Sequence, residues 1–103
     1  MDVESIRKLY PDLIKKMGKA TVNKIVDILF AEGVLQSEEM HIIQSQQVEE
    51  DAVRNLLGLV RNKGSVACEK FGLALEENDP HLYDDLQSSC ITDAVKLLSL
   101  GSN

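Results

Sequence analysis

Apolar positions recur along this chain at the spacing of one face of an α-helix, punctuated by residues that stop helices. Val3, Ile6, Leu9, Tyr10, Leu13, Ile14 and Met17 make a first stripe. Pro11 lies inside it; proline cannot donate to the helical ladder and clashes with the preceding turn, so a bend or break is expected near Tyr10. Val22, Ile25, Val26, Leu29 and Phe30 make a second stripe at i, i+3, i+4, i+7, i+8, with Thr21 as its expected N-cap and Gly33 as its left-handed stop. Ser37, followed by Glu38 and Glu39, reads as the cap of a short third helix carrying Met40 and Ile43. A fourth helix is predicted from Val48 to Asn62, with Ala52, Val53, Leu56, Leu57 and Val60 inward and Gly64 as terminator. The fifth, Ser65 to Glu77, buries Ala67, Phe71, Ala74 and Leu75. Asp79-Pro80, an acid before proline at the first helical position, opens a sixth with Leu82, Tyr83 and Leu86.

No stretch alternates with a period of two and β-branched enrichment, which makes the fold class all-α. Connections of only a few residues imply antiparallel neighbours in one bundle. Residues 1–88 hold the six helices; residues 89–103 form a tail or linker, partly helical through Ile91, Ala94, Val95 and Leu98. The composition, 44% hydrophobic and 27% charged, is that of a globular domain. Apolar runs of a few residues fall far short of the roughly 20 that span a bilayer. Met1-Asp2-Val3-Glu4 lacks the basic and apolar regions of a signal peptide, so a cytoplasmic location is expected.

Charge changes the picture more than composition does. The net charge of −6 is divided into four blocks: residues 1–24 carry +3, 25–53 carry −7, 54–73 carry +3 and 74–103 carry −5. An acidic total argues against nucleic acid as the main ligand, since phosphate binding needs a dominant basic face. Blocks of alternating sign on successive helices instead predict oppositely charged faces, suited to docking copies or relatives of the same body.

Candidate reaction chemistry is sparse. Cys68, close to Phe71 on the fifth helix, reads as a small buried hydrophobe, and Cys90 as a free thiol; both fit a reducing compartment. His41 and His81 lack metal-ligand spacing, the acid clusters do not follow the EF-hand pattern, and no GxxxxGK[ST] sequence is present. Gly58 and Gly72 read as places where helices approach closely. No enzymatic activity, cofactor or metal is expected. A small DNA-binding or enzymatic helical domain is the competing class, opposed by the acidic balance and the missing catalytic constellation.

KIVDILFAEGVLQSEEM, residues 24–40, resembles the second and third helices of caspase recruitment domains (CARDs), where an aliphatic-Asp-aliphatic helix runs into Gly-Val-Leu and an acid-rich short helix. DAVRNLLGLVRNKG, residues 51–64, resembles their fourth helix, and SVACEKFGLALEENDPHLYDDL, residues 65–86, their fifth and sixth. The likeness is greatest to CARDs of inflammasome NOD-like receptors, inflammatory caspases and CARD-only decoys. It implies a six-helix antiparallel Greek-key bundle of the death-fold superfamily. The implied function is homotypic CARD–CARD association, often filamentous, that recruits or activates caspases in innate immune or apoptotic signalling. Implied partners are other CARD-containing proteins (a caspase, adaptor or NOD-like receptor) and copies of the chain itself. The alternative within the family is a CARD-only decoy that inhibits such assembly.

The resemblance also implies which residues bind. Arg7, Lys15, Lys16, Arg54 and Arg61 form the basic patch on the first and fourth helices; Asp27, Glu32, Glu38 and Glu39 form the acidic patch on the second and third. Asn62 and Lys63, with Asp84 and Asp85, form a secondary surface. Asp12 departs from the pattern, standing at a first-helix position that is basic in several relatives. The local alternatives are pairing of Asp27 with Lys24 and of Arg54 with Glu50, each one turn away on its own helix.

Overall fold

A computed structural model of the chain describes residues 1–88. Cys90 and the expected tail of residues 89–103 lie outside the described residues. Five helices, α1 (Val3–Lys16), α2 (Lys19–Ala31), α3 (Ser37–Ser45), α4 (Glu49–Lys63) and α5 (Ser65–Asn78), are followed by a sixth, α6, over 80–88. No strand occurs among the described residues. The expected all-α, six-helix architecture is therefore the one observed.

The apolar stripes meet in one core. Ile6, Leu9 and Leu13 of α1, Val22, Ile25, Val26 and Leu29 of α2, and Ile43 of α3 are buried against Val53, Leu56 and Leu57 of α4 and Phe71 and Leu75 of α5. Leu82 and Leu86 close it from α6. Each such side chain contributes about 1.5–3 kcal/mol relative to exposure. No polar or charged residue is buried among those described, so the charges all remain at the surface. Helix α1 packs on α4 and α5, whereas α2 packs on α3, α4 and α5. Sequence neighbours α1 and α2 are thus not partners in the bundle, the non-sequential arrangement expected of a Greek key.

The boundaries follow local chemistry, with two N-caps that depart from expectation. At α6, Asp79 caps as predicted: its Oδ1 accepts from Leu82 N at 3.2 Å, and Pro80 follows at the first helical position. Gly33 and Gly64 have φ of 79° and 105°, conformations that favour glycine, and they end α2 and α4. Helix α2, however, begins before Thr21, at Lys19 with Gly18 as N-cap. Lys19 Nζ donates to the Gln46 carbonyl across the bundle, which anchors this extra turn. Helix α3 is capped by Gln36 in place of Ser37, because Glu39 Oε1 accepts the Gln36 N–H at 2.9 Å and so fixes the register one residue earlier.

Of the two outcomes expected at Pro11, a break is not observed, and α1 runs through it. Pro11 faces solvent, as does Arg7, whose carbonyl the missing N–H would have engaged. Water can satisfy that carbonyl while the opposite side of α1 stays locked in the core. The glycines also differ from one another. A Cβ on Gly72 would fall 2.9 Å from the Met1 backbone nitrogen, so the close approach there is to Met1, ahead of α1, and not the helix-to-helix contact expected, whereas one on Gly58 would meet nothing within 4 Å. Gly58 is therefore not a packing glycine. Cys68 is fully buried, as expected, with Sγ 3.7 Å from the Val60 carbonyl, and burial pushes its thiol up from the usual value.

Candidate protein-interaction surfaces

The basic residues on α1 and α4 converge because those helices are packed together. Tyr10, Pro11, Ile14 and Lys15 of α1 and Glu50 and Arg54 of α4 line a groove of about 390 Å3. The first half of α4 thus lies beside the second half of α1, an antiparallel pair. Helical geometry extends this face toward one end of the pair: Arg61 sits two turns beyond Arg54 on the same side of α4, and Arg7 two turns before Ile14 on α1, both in the same direction because the helices are antiparallel.

The cations differ in how far they are already engaged. Arg54 holds Asp51 at 3.0 Å and Glu50 at 3.7 Å, so the local pairing considered for Glu50 does occur. Half of the Arg54 side chain remains exposed, and a guanidinium with five donors keeps capacity for a partner. Arg7 is 3.8 Å from Glu4. Among the described residues, neither Lys15 nor Arg61 has an ion-pair partner. Lys16 points away from the groove to Asp85 of α6, at 2.8 Å, and the Asp85 carboxylate raises its pKa above the ordinary lysine value. Asp12 is half-buried on α1.

Three of the acids in the predicted patch are bonded to three different helices. Asp27 accepts a hydrogen bond from Gln44 Nε2 of α3 at 2.9 Å, and its pairing with Lys24 is not observed. Glu32 lies 3.9 Å from Lys70 of α5, and Glu39 lies 2.9 Å from Lys63 at the end of α4. The Gln36 N–H, foremost, and then Lys63 hold the Glu39 carboxyl below the usual glutamate range. Glu38 is exposed in the first turn of α3. Of the secondary surface, Lys63 and Asp85 are each bonded within the chain, while Asn62 and Asp84 are exposed.

Sequence reasoning missed two features. The groove is one, since nothing in a helical stripe shows where two helices leave space between them. Phe30 is the other: it was expected in the α2 core stripe but is 43% exposed. Its angular position could have shown this, because Phe30 is rotated about 80° from Val22, off the edge of the stripe centred on Leu29 and Val22.

A bundle whose charged residues all lie at its surface, with Lys15 and Arg54 beside Glu50 at a groove on one side and acids on others, is a protein-interaction module of the death-fold class. The chain belongs to the caspase recruitment domain (CARD) family, whose profile matches residues 4–89. It is 43% identical over 74 residues to NLR family CARD domain-containing protein 4 of Rattus norvegicus, covering 72% of this chain and 7% of that protein. It is 36% identical over 77 residues to Caspase-1 of Equus caballus, covering 74% of this chain and 19% of that protein. The chain thus spans less than a fifth of either relative. Its fold matches the solution structure of ICEBERG, an inhibitor of interleukin-1beta generation, with a TM-score of 0.73 and 31% identity over 80% of this chain and 93% of that one. No helix among the described residues is long and apolar enough to cross a membrane.

Proposed function

We propose that this chain is a non-enzymatic CARD that docks onto CARDs of other proteins and onto copies of itself, building helical assemblies that bring caspases together in the cytoplasm. The observation that carries the reading is the convergence of Lys15 and Arg54 on the α1–α4 groove, opposite in sign to Asp27 and Glu38 on α2 and α3. Two complementary faces on different helices give a head-to-tail contact, and repetition without closure gives a helix of subunits. A single rim ion pair contributes only about 0.2–1 kcal/mol, so several act together. Their main effect is on encounter rate and register, and it weakens with salt.

Light scattering at rising protein concentration tests this. The unmodified chain assembles, and Arg54→Glu or Asp27→Lys abolishes assembly without changing the helical circular dichroism spectrum. Assembly of both reversals at the unmodified rate defeats the reading.

A second reading is that the chain is a CARD-only decoy that occupies a partner's docking face and stops its growth. The likeness to ICEBERG favours it. In mixtures with the CARD of an NLR or a caspase, a decoy slows partner assembly, whereas a nucleator accelerates it.

A further inference from the structure

Phe30 is an exposed aromatic near the C-terminal end of α2, with 43% of its surface open to water. Asp27 is one turn earlier on the same side of the helix, and it is exposed. The α1–α4 groove offers the complement: an apolar lining of Tyr10, Pro11 and Ile14, rimmed by the cations Lys15 and Arg54 and by one acid, Glu50, that Arg54 already holds. We propose that Phe30 of one copy seats in the Tyr10–Pro11–Ile14 groove of a second copy of this chain, with Asp27 set against Lys15 and Arg54. This rests on the charged-face reading above and supplies what that reading lacks, an apolar anchor.

Three observations select this occupant. The charges match, because the acid nearest Phe30 on its own helix face meets two cations and a single acid, Glu50, at the groove, and Lys15 there has no ion-pair partner among the described residues. The other large exposed hydrophobics, Ile42, Val48, Val66 and Leu73, are aliphatic, whereas aromatic side chains seated in pockets dominate binding energy at interfaces. Plug and socket also lie on different elements, α2 on one hand and α1 with α4 on the other, so one contact leaves a free plug and a free socket at the ends. Rim charges alone would give fast but weak encounters; a desolvated aromatic slows dissociation.

Sedimentation velocity over a concentration series, at low and high salt, provides the test. Phe30→Ser removes the plug from an already exposed position. Pro11→Glu puts an acid in the groove at a solvent-facing site and returns an N–H to α1, so neither substitution threatens the core. Each variant alone is expected to self-associate at least about tenfold more weakly than the unmodified chain, with unchanged circular dichroism. Mixed together, they form a 1:1 heterodimer and nothing larger, because one retains Phe30 and the other retains the groove. Unmodified association in Phe30→Ser, or a mixture that stays monomeric, overturns the proposal. If Arg54→Glu abolishes association while Phe30→Ser does not, the plug is wrong and the charged-face reading stands. An unmodified chain that stays monomeric at every concentration overturns the second copy as occupant.

Discussion

The α1–α4 side of the bundle gathers its charges, and the α2–α3 side scatters them. Lys15 and Arg54 come from different charge blocks of the sequence, yet they line one groove because their helices pack antiparallel. Asp27, Glu32 and Glu39 come from a single block, yet they turn toward α3, α5 and α4 respectively. Five residues along α2 rotate a side chain by about 140°, enough to carry Glu32 away from the direction Asp27 faces. A run of like charge in sequence does not by itself define a surface. Helical phase and the choice of packing partner decide what becomes one, and here they favour the cations.

If the gathered side is the working one, a charge exchange should show the largest effect. Arg54→Asp and Asp27→Arg each weaken self-association by at least about tenfold, measured by light scattering. The double variant recovers most of that loss, because the polarity of the contact is inverted, not removed. Circular dichroism and urea unfolding check the fold throughout; loss of the two local pairs of Arg54 lowers stability by less than about 1 kcal/mol. A double variant as defective as the singles would mean that Arg54 and Asp27 do not meet.

The elements were far more legible in the sequence than the site. Asp79-Pro80, Gly33 and Gly64 marked their helix ends because capping and left-handed backbone are local chemistry. Thr21 and Ser37 were misplaced as caps because the deciding interactions involved other residues: Lys19 reaching Gln46 across the bundle, and Glu39 reaching back to Gln36. The cationic residues of the site were legible as types, and the CARD resemblance assigned them to α1 and α4. The groove was not, since it is empty space between two helices, and the ties of Glu32, Glu39 and Lys16 were not, since each crosses to a different helix. Gly58 fails for the same reason: only the packed bundle shows that nothing stands over it.

That open position separates stability from binding on the gathered side. Gly58 lies one turn beyond Arg54 on the same side of α4, in the helix interior. Gly58→Ala should raise unfolding free energy by about 0.5–1 kcal/mol by restricting the unfolded chain and favouring the helix. The melting temperature then rises by about 2–8 °C. Association unchanged beside a higher melting point would show that the groove works locally. A fall in stability would mean that space over Gly58 is needed by a neighbour.

The scattered side makes its own contribution, to folding. Glu39 has a folded pKa below the unfolded value of about 4.3. Its contribution to stability is therefore complete above that value and is lost as pH falls through the lower folded pKa. Urea midpoints of the unmodified chain and Glu39→Gln should differ most near pH 6 and converge as the pH drops below about 4. A gap that persists in acid would assign the effect to side-chain packing and not to the bonds with Gln36 and Lys63.

The smallest expected effect discriminates most sharply between the two sides. Glu32 belongs to the same charge block as Asp27 and lies only five residues further on. If total negative charge on α2 and α3 drives docking, Glu32→Lys should be as damaging as reversal of Asp27. If only the side of α2 that carries Asp27 and Phe30 docks, Glu32→Lys changes association by no more than about twofold, apart from a uniform shift that salt screens. Within the fold it exchanges one exposed, 3.9 Å pair with Lys70 for a repulsion, a cost of no more than about 1 kcal/mol. Association measured at two ionic strengths separates these outcomes. A tenfold loss that survives high salt would place Glu32 in the contact and return the acidic residues to a single face.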